Sequence, residues 1–160
     1  MQKIANVFSP LLGEISWSVK LGHGSYVTIE FGQPHLHIRE PIKTTSGGRV
    51  GELLSQRKVS IVGDWHFWIQ DTDWRATNGD KQCDSNSTSN EIEKVLSGID
   101  GQRLVSAEVK SGVLELNFDL GALISIFPSQ EPDLDLWTLY RFQSEHVSCR
   151  SDNSIVVGKG

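Results

Sequence analysis

The chain has 160 residues, of which 38% are apolar and 22% charged, and this composition is typical of one soluble globular domain. A chain of this length buries enough apolar surface to fold without disulfides or metal ions, so a disulfide-stapled mini-protein is excluded. The net charge of −5 and the scattered basic residues argue against binding to nucleic-acid phosphates.

Neither a membrane segment nor an export signal is predicted. No apolar run approaches the roughly 20 residues that a membrane-spanning helix needs. The first residues lack the charged and apolar regions of a secretory signal peptide. The two cysteines, Cys83 and Cys149, have no CxxC spacing and are predicted to be reduced thiols. We therefore expect residues 1–160 to form a single cytoplasmic domain without membrane contact.

The first predicted elements are β-strands, because apolar and polar residues alternate along most of the chain. In residues 31–34, with the sequence FGQP, glycine stands where a type II′ hairpin turn requires a positive φ. The turn predicts a register with Ile29 opposite Leu36 on the buried face. On the other face, the same register places Glu30 beside His35.

A long loop and one helix are predicted further along the chain. Residues 42–56 are rich in Thr, Ser and Gly and have no periodicity, which predicts a long loop. Residues 89–97 carry an apolar stripe at three- and four-residue spacings, which predicts an α-helix. Thr88 and Glu91 stand at capping-box spacing at its start, and Gly98 stands where a left-handed residue would end it.

The second half of the chain repeats the strand signals of the first half in the same order. The segment 26–31, for example, corresponds to 113–118. This order predicts an internal duplication of approximately residues 11–77 and 98–157, joined by the helix at 89–97. Because neither half buries its apolar face alone, we expect the two to pack together. The predicted fold is mainly β (α+β), an antiparallel β-sandwich or open barrel of two similar meanders with one α-helix.

His35 and His37 are the strongest candidates for a ligand site. Residues two apart on a strand point to the same face, and two imidazoles placed in this way are able to bind one metal ion. Glu30, on the predicted neighbouring strand, adds a carboxylate. The hypothesis is a site for a divalent metal or a small ligand. The interpretation that we favour is that Glu30, His35 and His37 are ordinary polar residues of a solvated hairpin face.

A second candidate surface surrounds the aromatic segment 65–69. His66, Trp68 and Gln70 share one face of this predicted strand, and further aromatic residues lie on the opposite face. The face with Trp68 therefore needs a cover, which is the helix, the long loop or another protein. The helix is the commonest cover for such a residue. Otherwise Trp68, His66 and Gln70 form a partner-binding or homodimer surface.

Several short motifs resemble a family of small uncharacterised bacterial proteins. These motifs are HGSY at 23–26, EFG at 30–32, IREP at 38–41, GDWHFWI at 63–69, DGQ at 100–102 and FDLG at 118–121. The resemblance spans most of the chain. It implies a bacterial cytosolic accessory protein, of the kind carried on mobile gene cassettes or beside toxin genes, and it implies no catalytic residue.

These patterns favour a non-enzymatic binding module. The sequence contains no nucleophile elbow, no P-loop and no EF-hand spacing. We expect contact with a protein partner or a second copy of the chain, in an immunity-like or regulatory role and without a cofactor. The alternative is a small metal-dependent or small-molecule-binding enzyme that uses the face with Glu30, His35 and His37.

Overall fold

The computed structural model of the protein describes residues 2–22 and 24–159 and contains two large antiparallel sheets that face each other. The strands in chain order are β1 (Ser16–Leu21), β2 (Val27–Phe31), β3 (His35–Arg39), β4 (Lys58–Val62), β5 (Trp65–Ile69), β6 (Trp74–Asn78), β7 (Lys81–Asp84), β8 (Leu104–Lys110), β9 (Val113–Phe118), β10 (Ala122–Ile126), β11 (Asp135–Arg141), β12 (His146–Arg150) and β13 (Ile155–Gly158). The six-stranded sheet has the order β1-β2-β5-β11-β12-β13, and the five-stranded sheet has the order β7-β6-β10-β9-β8. Strands β3 and β4 form a separate two-stranded sheet. The predicted mainly β fold is confirmed, and its form is a sandwich.

Each large sheet contains strands from both halves of the chain. In the six-stranded sheet, β5 of the first half pairs with β11 of the second half. In the five-stranded sheet, β6 of the first half pairs with β10 of the second half. The halves are therefore interleaved across the sandwich. The internal duplication of residues 11–77 and 98–157 stays a prediction, because strand pairing does not test it.

Within the described residues the helices are α1 (Gln2–Val7), α2 (Gly48–Leu54) and α3 (Ser89–Ser97), and a short 3-10 turn spans Ser9–Leu11. The predicted helix is confirmed in α3, together with its capping box, in which Thr88 accepts the N–H of Glu91. The other two helices were not predicted, and α2 lies inside the predicted loop at 42–56. Each has at most seven residues, too few for an apolar repeat to become visible.

The end of α3 differs from the prediction. Gly98 has a φ of −74°, which is right-handed, so a left-handed conformation is not the reason for glycine at this position. A Cβ atom on Gly98 would lie 2.6 Å from Nδ2 of Asn78. A larger residue at this position would therefore require the side chain of Asn78 to shift.

Three aromatic rings pack together in the core. Phe67 on β5 and Trp137 on β11 extend from the inner face of the six-stranded sheet, with ring centroids 5.8 Å apart. Phe8, which lies between α1 and the 3-10 turn, packs 5.4 Å from Phe67 and 5.2 Å from Trp137. All three side chains are fully buried. The N-terminal segment therefore completes the core, although no strand pattern marks it.

The predicted hairpin between β2 and β3 is wrong. β2 pairs with β1 along one edge and with β5 along the other, so neither edge is free for β3, which pairs with β4 instead. Leu36 is therefore exposed and does not face Ile29. Glu30 lies beside His66 and not beside His35. The central position of β2 buries all five of its residues, which favours this pairing over the predicted one.

Residues 33–62, which we call the arm, are inserted between two neighbouring strands. Phe31 at the end of β2 and Trp65 at the start of β5 are direct partners across the sheet. The chain therefore leaves the sheet and returns to it at the same point. Between these residues lie β3, α2 and β4, and no residue of the arm is buried. The arm contributes nothing to the core of the sandwich.

Candidate functional site

Four polar side chains form a row across the outer face of the six-stranded sheet, which we call the outer row. The strand register pairs Glu30 with His66, His66 with Tyr140, and Tyr140 with His146. Directly paired residues on adjacent strands point to the same face of a sheet. The row therefore crosses β2, β5, β11 and β12 and brings together residues that are far apart in the sequence.

Glu30 and His66 are held in the outer row by hydrogen bonds. The side chain of Glu30 is only 7% exposed, and its carboxylate accepts the N–H of Gly63 at 2.9 Å and a hydrogen bond from Nδ1 of His66. The indole N–H of Trp68, which is able only to donate, bonds to Nε2 of His66. The imidazole of His66 is therefore held between the carboxylate of Glu30 and the indole of Trp68.

Both ring nitrogens of His66 have partners within the protein. A histidine that acts as a general base needs one nitrogen within reach of the substrate proton. In this structure Trp68 occupies that nitrogen. The two hydrogen bonds fix the orientation of the imidazole and of the indole, which gives the outer face a rigid aromatic surface.

Trp68 lies among other aromatic rings. Its ring centroid is 6.1 Å from that of Tyr26 and 5.8 Å from that of Tyr140. The helix α3, the commonest cover for such a residue, packs mainly against β1, β6 and β7. Gln70 accepts a hydrogen bond of 2.7 Å from the hydroxyl of Thr138 on the neighbouring strand. The role of this face in partner binding stays a prediction.

His146 lies at the end of the outer row in a narrow space. Its ring is 5.2 Å from that of Tyr140, and a Cβ atom on Gly158 would approach Cε1 of His146 to 2.4 Å. Nδ1 of His146 is buried without a hydrogen-bond partner in the part of the chain that the structure describes. Burial raises the pKa of Tyr140, so its hydroxyl stays protonated at neutral pH.

The three predicted metal ligands have different surroundings. Glu30 belongs to the outer row, and His37 is exposed on the arm. Nε2 of His35 lies 2.5 Å from Oδ1 of Asp64, and the ring stacks on Phe142 with centroids 4.3 Å apart. Within residues 2–22 and 24–159, no group of three or more His, Cys, Asp or Glu side chains is placed to hold a metal ion. The structure does not bring Glu30, His35 and His37 together as a metal centre.

His35 and Asp64 fix the base of the arm. Oδ2 of Asp64 also accepts the N–H of Gln33 at 2.8 Å. The hydrogen bonds from His35 and from the Gln33 backbone hold the pKa of Asp64 below its ordinary value, so the carboxylate stays ionised. The two ends of the arm are therefore bonded to each other where they join the sheet.

The arm carries an apolar face that is open to solvent. Leu36 pairs with Ile61, and Ile38 pairs with Val59, so these four side chains share one face of the two-stranded sheet. The neighbouring segment with α2 adds three more exposed apolar side chains, Ile42, Val50 and Leu53. The four strand residues, which we call the arm apolar face, are between 48% and 61% exposed. Monomeric soluble domains rarely expose large contiguous apolar patches.

The opposite face of the arm holds α2 in place. The guanidinium of Arg39 on β3 donates hydrogen bonds of 3.1 Å to the carbonyl oxygens of Leu53 and Gln56, at the end of α2. The N–H of Ile42 donates to the carbonyl of Leu54 at 2.7 Å. These bonds order the tip of the arm in the absence of a hydrophobic core.

The arm is basic, whereas the remainder of the protein is acidic. The arm contains five Lys and Arg residues and two Glu residues, a net charge of +3. The other 130 residues contain ten basic and eighteen acidic residues, a net charge of −8. The overall charge of −5 therefore conceals two regions of opposite sign.

The arm apolar face, Tyr140 and His146 were not predicted as candidate sites from the sequence, although His35 and His37 of the arm were. A count of charge by segment would have identified residues 33–62 as a basic region of an acidic chain. No local signal marks Tyr140 or His146, because both join the outer row only through the pairing of β5, β11 and β12.

Both cysteines are buried, and we expect them to be unreactive in the native protein. Burial raises the pKa of the Cys83 thiol to about 11 and that of the Cys149 thiol to about 11. Because the thiolate is the reactive species, Ellman's reagent at pH 8 should modify the native protein roughly tenfold or more slowly than the denatured protein. Rapid modification of either native thiol would contradict this expectation.

Comparison with known proteins finds no family model, no curated protein and no solved structure that matches this chain. The resemblance to small bacterial proteins therefore stays an expectation that rests on the short motifs. No helix in the described ranges is long and apolar enough to cross a membrane.

Proposed function

We propose that the protein is a non-enzymatic interaction module and that the arm is its contact element. The observation that carries this proposal is the solvent-exposed arm apolar face. On a soluble domain, a contiguous apolar surface with polar surroundings marks a site of contact with another protein.

The position of the arm in the chain supports this role. A short turn would suffice to connect Phe31 to Trp65, because these residues are direct neighbours in the sheet. Instead the chain inserts residues 33–62, none of which is buried. Long connections in compact domains are uncommon and usually carry a function.

A partner would also stabilise the arm itself. A two-stranded sheet on its own is only marginally stable in water. Burial of apolar surface contributes about 25 cal/mol per Å². Leu36, Ile38 and their neighbours contribute little of this stabilisation while they are exposed to solvent. Burial of these side chains against a partner would contribute to the affinity of the complex and would order the arm further.

The arm is partly ordered before any partner binds. The contacts of His35 with Asp64 and Phe142 fix its base, and those of Arg39 fix its tip. A contact element that is ordered in advance loses less conformational entropy on binding. We propose that the face with Trp68, His66 and Gln70 is a second surface that contacts the same partner. We propose a regulatory or immunity-like role in the cytoplasm for this module.

Photo-crosslinking in cells that make the protein tests the proposal. Benzoylphenylalanine is introduced in place of Leu36 or Ile61, on the arm apolar face. The matched control introduces it in place of His37 or Ser60, which lie on the opposite face of the same two strands. We expect adducts from the first pair and roughly tenfold fewer from the second, because alternate residues of a strand point in opposite directions. Equal yields from both faces, or no adduct from either, would contradict the proposal.

Deletion of the arm provides a further test of the same proposal. Joining Gly32 directly to Gly63 removes residues 33–62 and leaves a short hairpin connection between β2 and β5. Because no buried residue is lost, we expect cooperative thermal unfolding similar to that of the full chain. The protein identified by crosslinking should no longer copurify with this variant. Continued copurification would show that the arm is not the contact element.

A further inference from the structure

A second exposed apolar surface lies on the body of the sandwich. Leu12, Ile15 and Leu120 are 48%, 39% and 71% exposed. Ile15 forms a β-bridge with Arg103, and Arg103 exchanges two hydrogen bonds with Asp119, the neighbour of Leu120. Separate segments of the chain are therefore tied together here. We call Leu12, Ile15 and Leu120 the body patch.

The arm and the body patch differ in charge. The arm has a net charge of +3, and the remainder of the chain has a net charge of −8. Glu14 and Asp119 border the body patch. Arg103 lies beside them and donates to the carbonyl of Gly13 at 2.7 Å, so two negative charges and one positive charge adjoin the patch. The basic arm of one molecule and the acidic body of another are complementary in net charge.

The body patch lies beside the base of the arm. The N–H of Gly32, the residue before the arm, donates to the carbonyl of Ile15 at 3.2 Å. Both surfaces remain open on a single molecule. A two-fold axis that brings the arm of one molecule to the body patch of another also brings the second arm to the second patch. Both contacts then form together and the assembly closes.

We infer that the arm docks on the body patch of a second copy of this chain and forms a closed two-fold dimer. The inference rests on the proposed function and names its partner. Contact between two arms is disfavoured, because both carry a net charge of +3. In the dimer, Leu36 and Ile61 of one molecule cover Leu120 of the other.

Sedimentation velocity of the purified full-length protein, over a range of about 1 to 100 μM, measures the association. We expect a dimer whose Kd rises roughly tenfold or more in the arm variant Leu36→Ser with Ile61→Ser. The patch variant Leu12→Ser with Leu120→Ser should weaken the dimer to a similar extent. The control His37→Ser, on the opposite face of the arm, should associate like the wild type.

A charge variant guards against local unfolding of the arm. Lys43→Glu with Arg49→Glu leaves the arm apolar face and the Arg57–Glu40 ion pair intact and changes the net charge of the arm from +3 to −1. We expect a Kd roughly tenfold higher than that of the wild type at low salt, because the complementary charge is lost. Unchanged association of this variant would overturn the charge argument and with it the choice of the body patch.

Mixing the two weakened variants distinguishes docking of arm on patch from docking of arm on arm. The arm variant keeps an intact patch, and the patch variant keeps an intact arm, so one complete contact forms between them. We expect heterodimers in the mixture at concentrations at which each variant alone is monomeric. A mixture that remains monomeric would overturn the inference.

The experiments distinguish failure of the dimer from failure of the proposed function. A wild-type protein that stays monomeric at about 100 μM overturns the dimer. If benzoylphenylalanine at Leu36 then forms adducts with a different protein, the interaction function stands and the partner is that protein. If no adduct forms, both proposals are wrong.

Discussion

Replacement of Phe8 with alanine is expected to lower the free energy of unfolding by about 3–5 kcal/mol. The ring of Phe8 is fully buried and packs against both Phe67 and Trp137. Its removal leaves a cavity that the two remaining rings fill only in part. Urea denaturation at pH 7, with the m-value compared between variant and wild type, measures the change.

The control for this prediction is Leu120→Ala, which truncates a side chain that is 71% exposed. Surface substitutions of this kind usually change stability by less than about 0.5 kcal/mol. The stability of this control is measured at a concentration at which the wild type is monomeric, so that association does not contribute to the free energy of unfolding. A loss below about 1 kcal/mol for Phe8→Ala would mean that the N-terminal segment is not part of the core.

Replacement of Glu30 with alanine is expected to destabilise the protein by about 3 kcal/mol, because two hydrogen-bond donors lose their acceptor. These donors are the N–H of Gly63 and Nδ1 of His66, and the carboxylate that receives them is 7% exposed. Gly63 follows the arm directly, so amide exchange at the base of the arm should also become faster. Urea denaturation and hydrogen exchange measure the two effects.

Two variants check the origin of the effect at Glu30. Glu30→Gln keeps an acceptor oxygen and a similar shape, so its loss of stability should be less than about half of the loss in Glu30→Ala. Glu40→Ala removes an exposed carboxylate whose ion pair with Arg57 lies on the surface, and it should change stability by less than about 1 kcal/mol. Equal losses for Glu30→Ala and Glu40→Ala would show that burial of Glu30 is unimportant.

The helix α3 was predictable because its signals are local. The apolar stripe, the capping residues Thr88 and Glu91, and the terminal Gly98 all lie within eleven residues. The positions of most strands were predictable for the same reason. Alternation shows which side chains share a face, but it does not show what covers that face. Leu36 and Ile38 alternate as a core strand does, although they are exposed.

The pairing of strands was not predictable from the local pattern. The turn signal at Gly32 favours a hairpin of β2 with β3, yet β2 lies between β1 and β5. The free energy of the whole sheet decides this choice, because the central position buries both faces of β2. The contact of Glu30 with His66, and the whole outer row, depend on that pairing.

The meeting of Phe31 and Trp65 at the two ends of the arm has a consequence for the evolution of this chain. An insertion whose ends are neighbours is able to change in length and sequence without a change in the register of the surrounding strands. Under the proposed function, substitutions in the arm alter recognition at little cost to the stability of the sandwich. Related chains are accordingly expected to differ most in this segment while they keep the buried residues of β2 and β5. Divergence of binding specificity can proceed in such a fold independently of selection for folding.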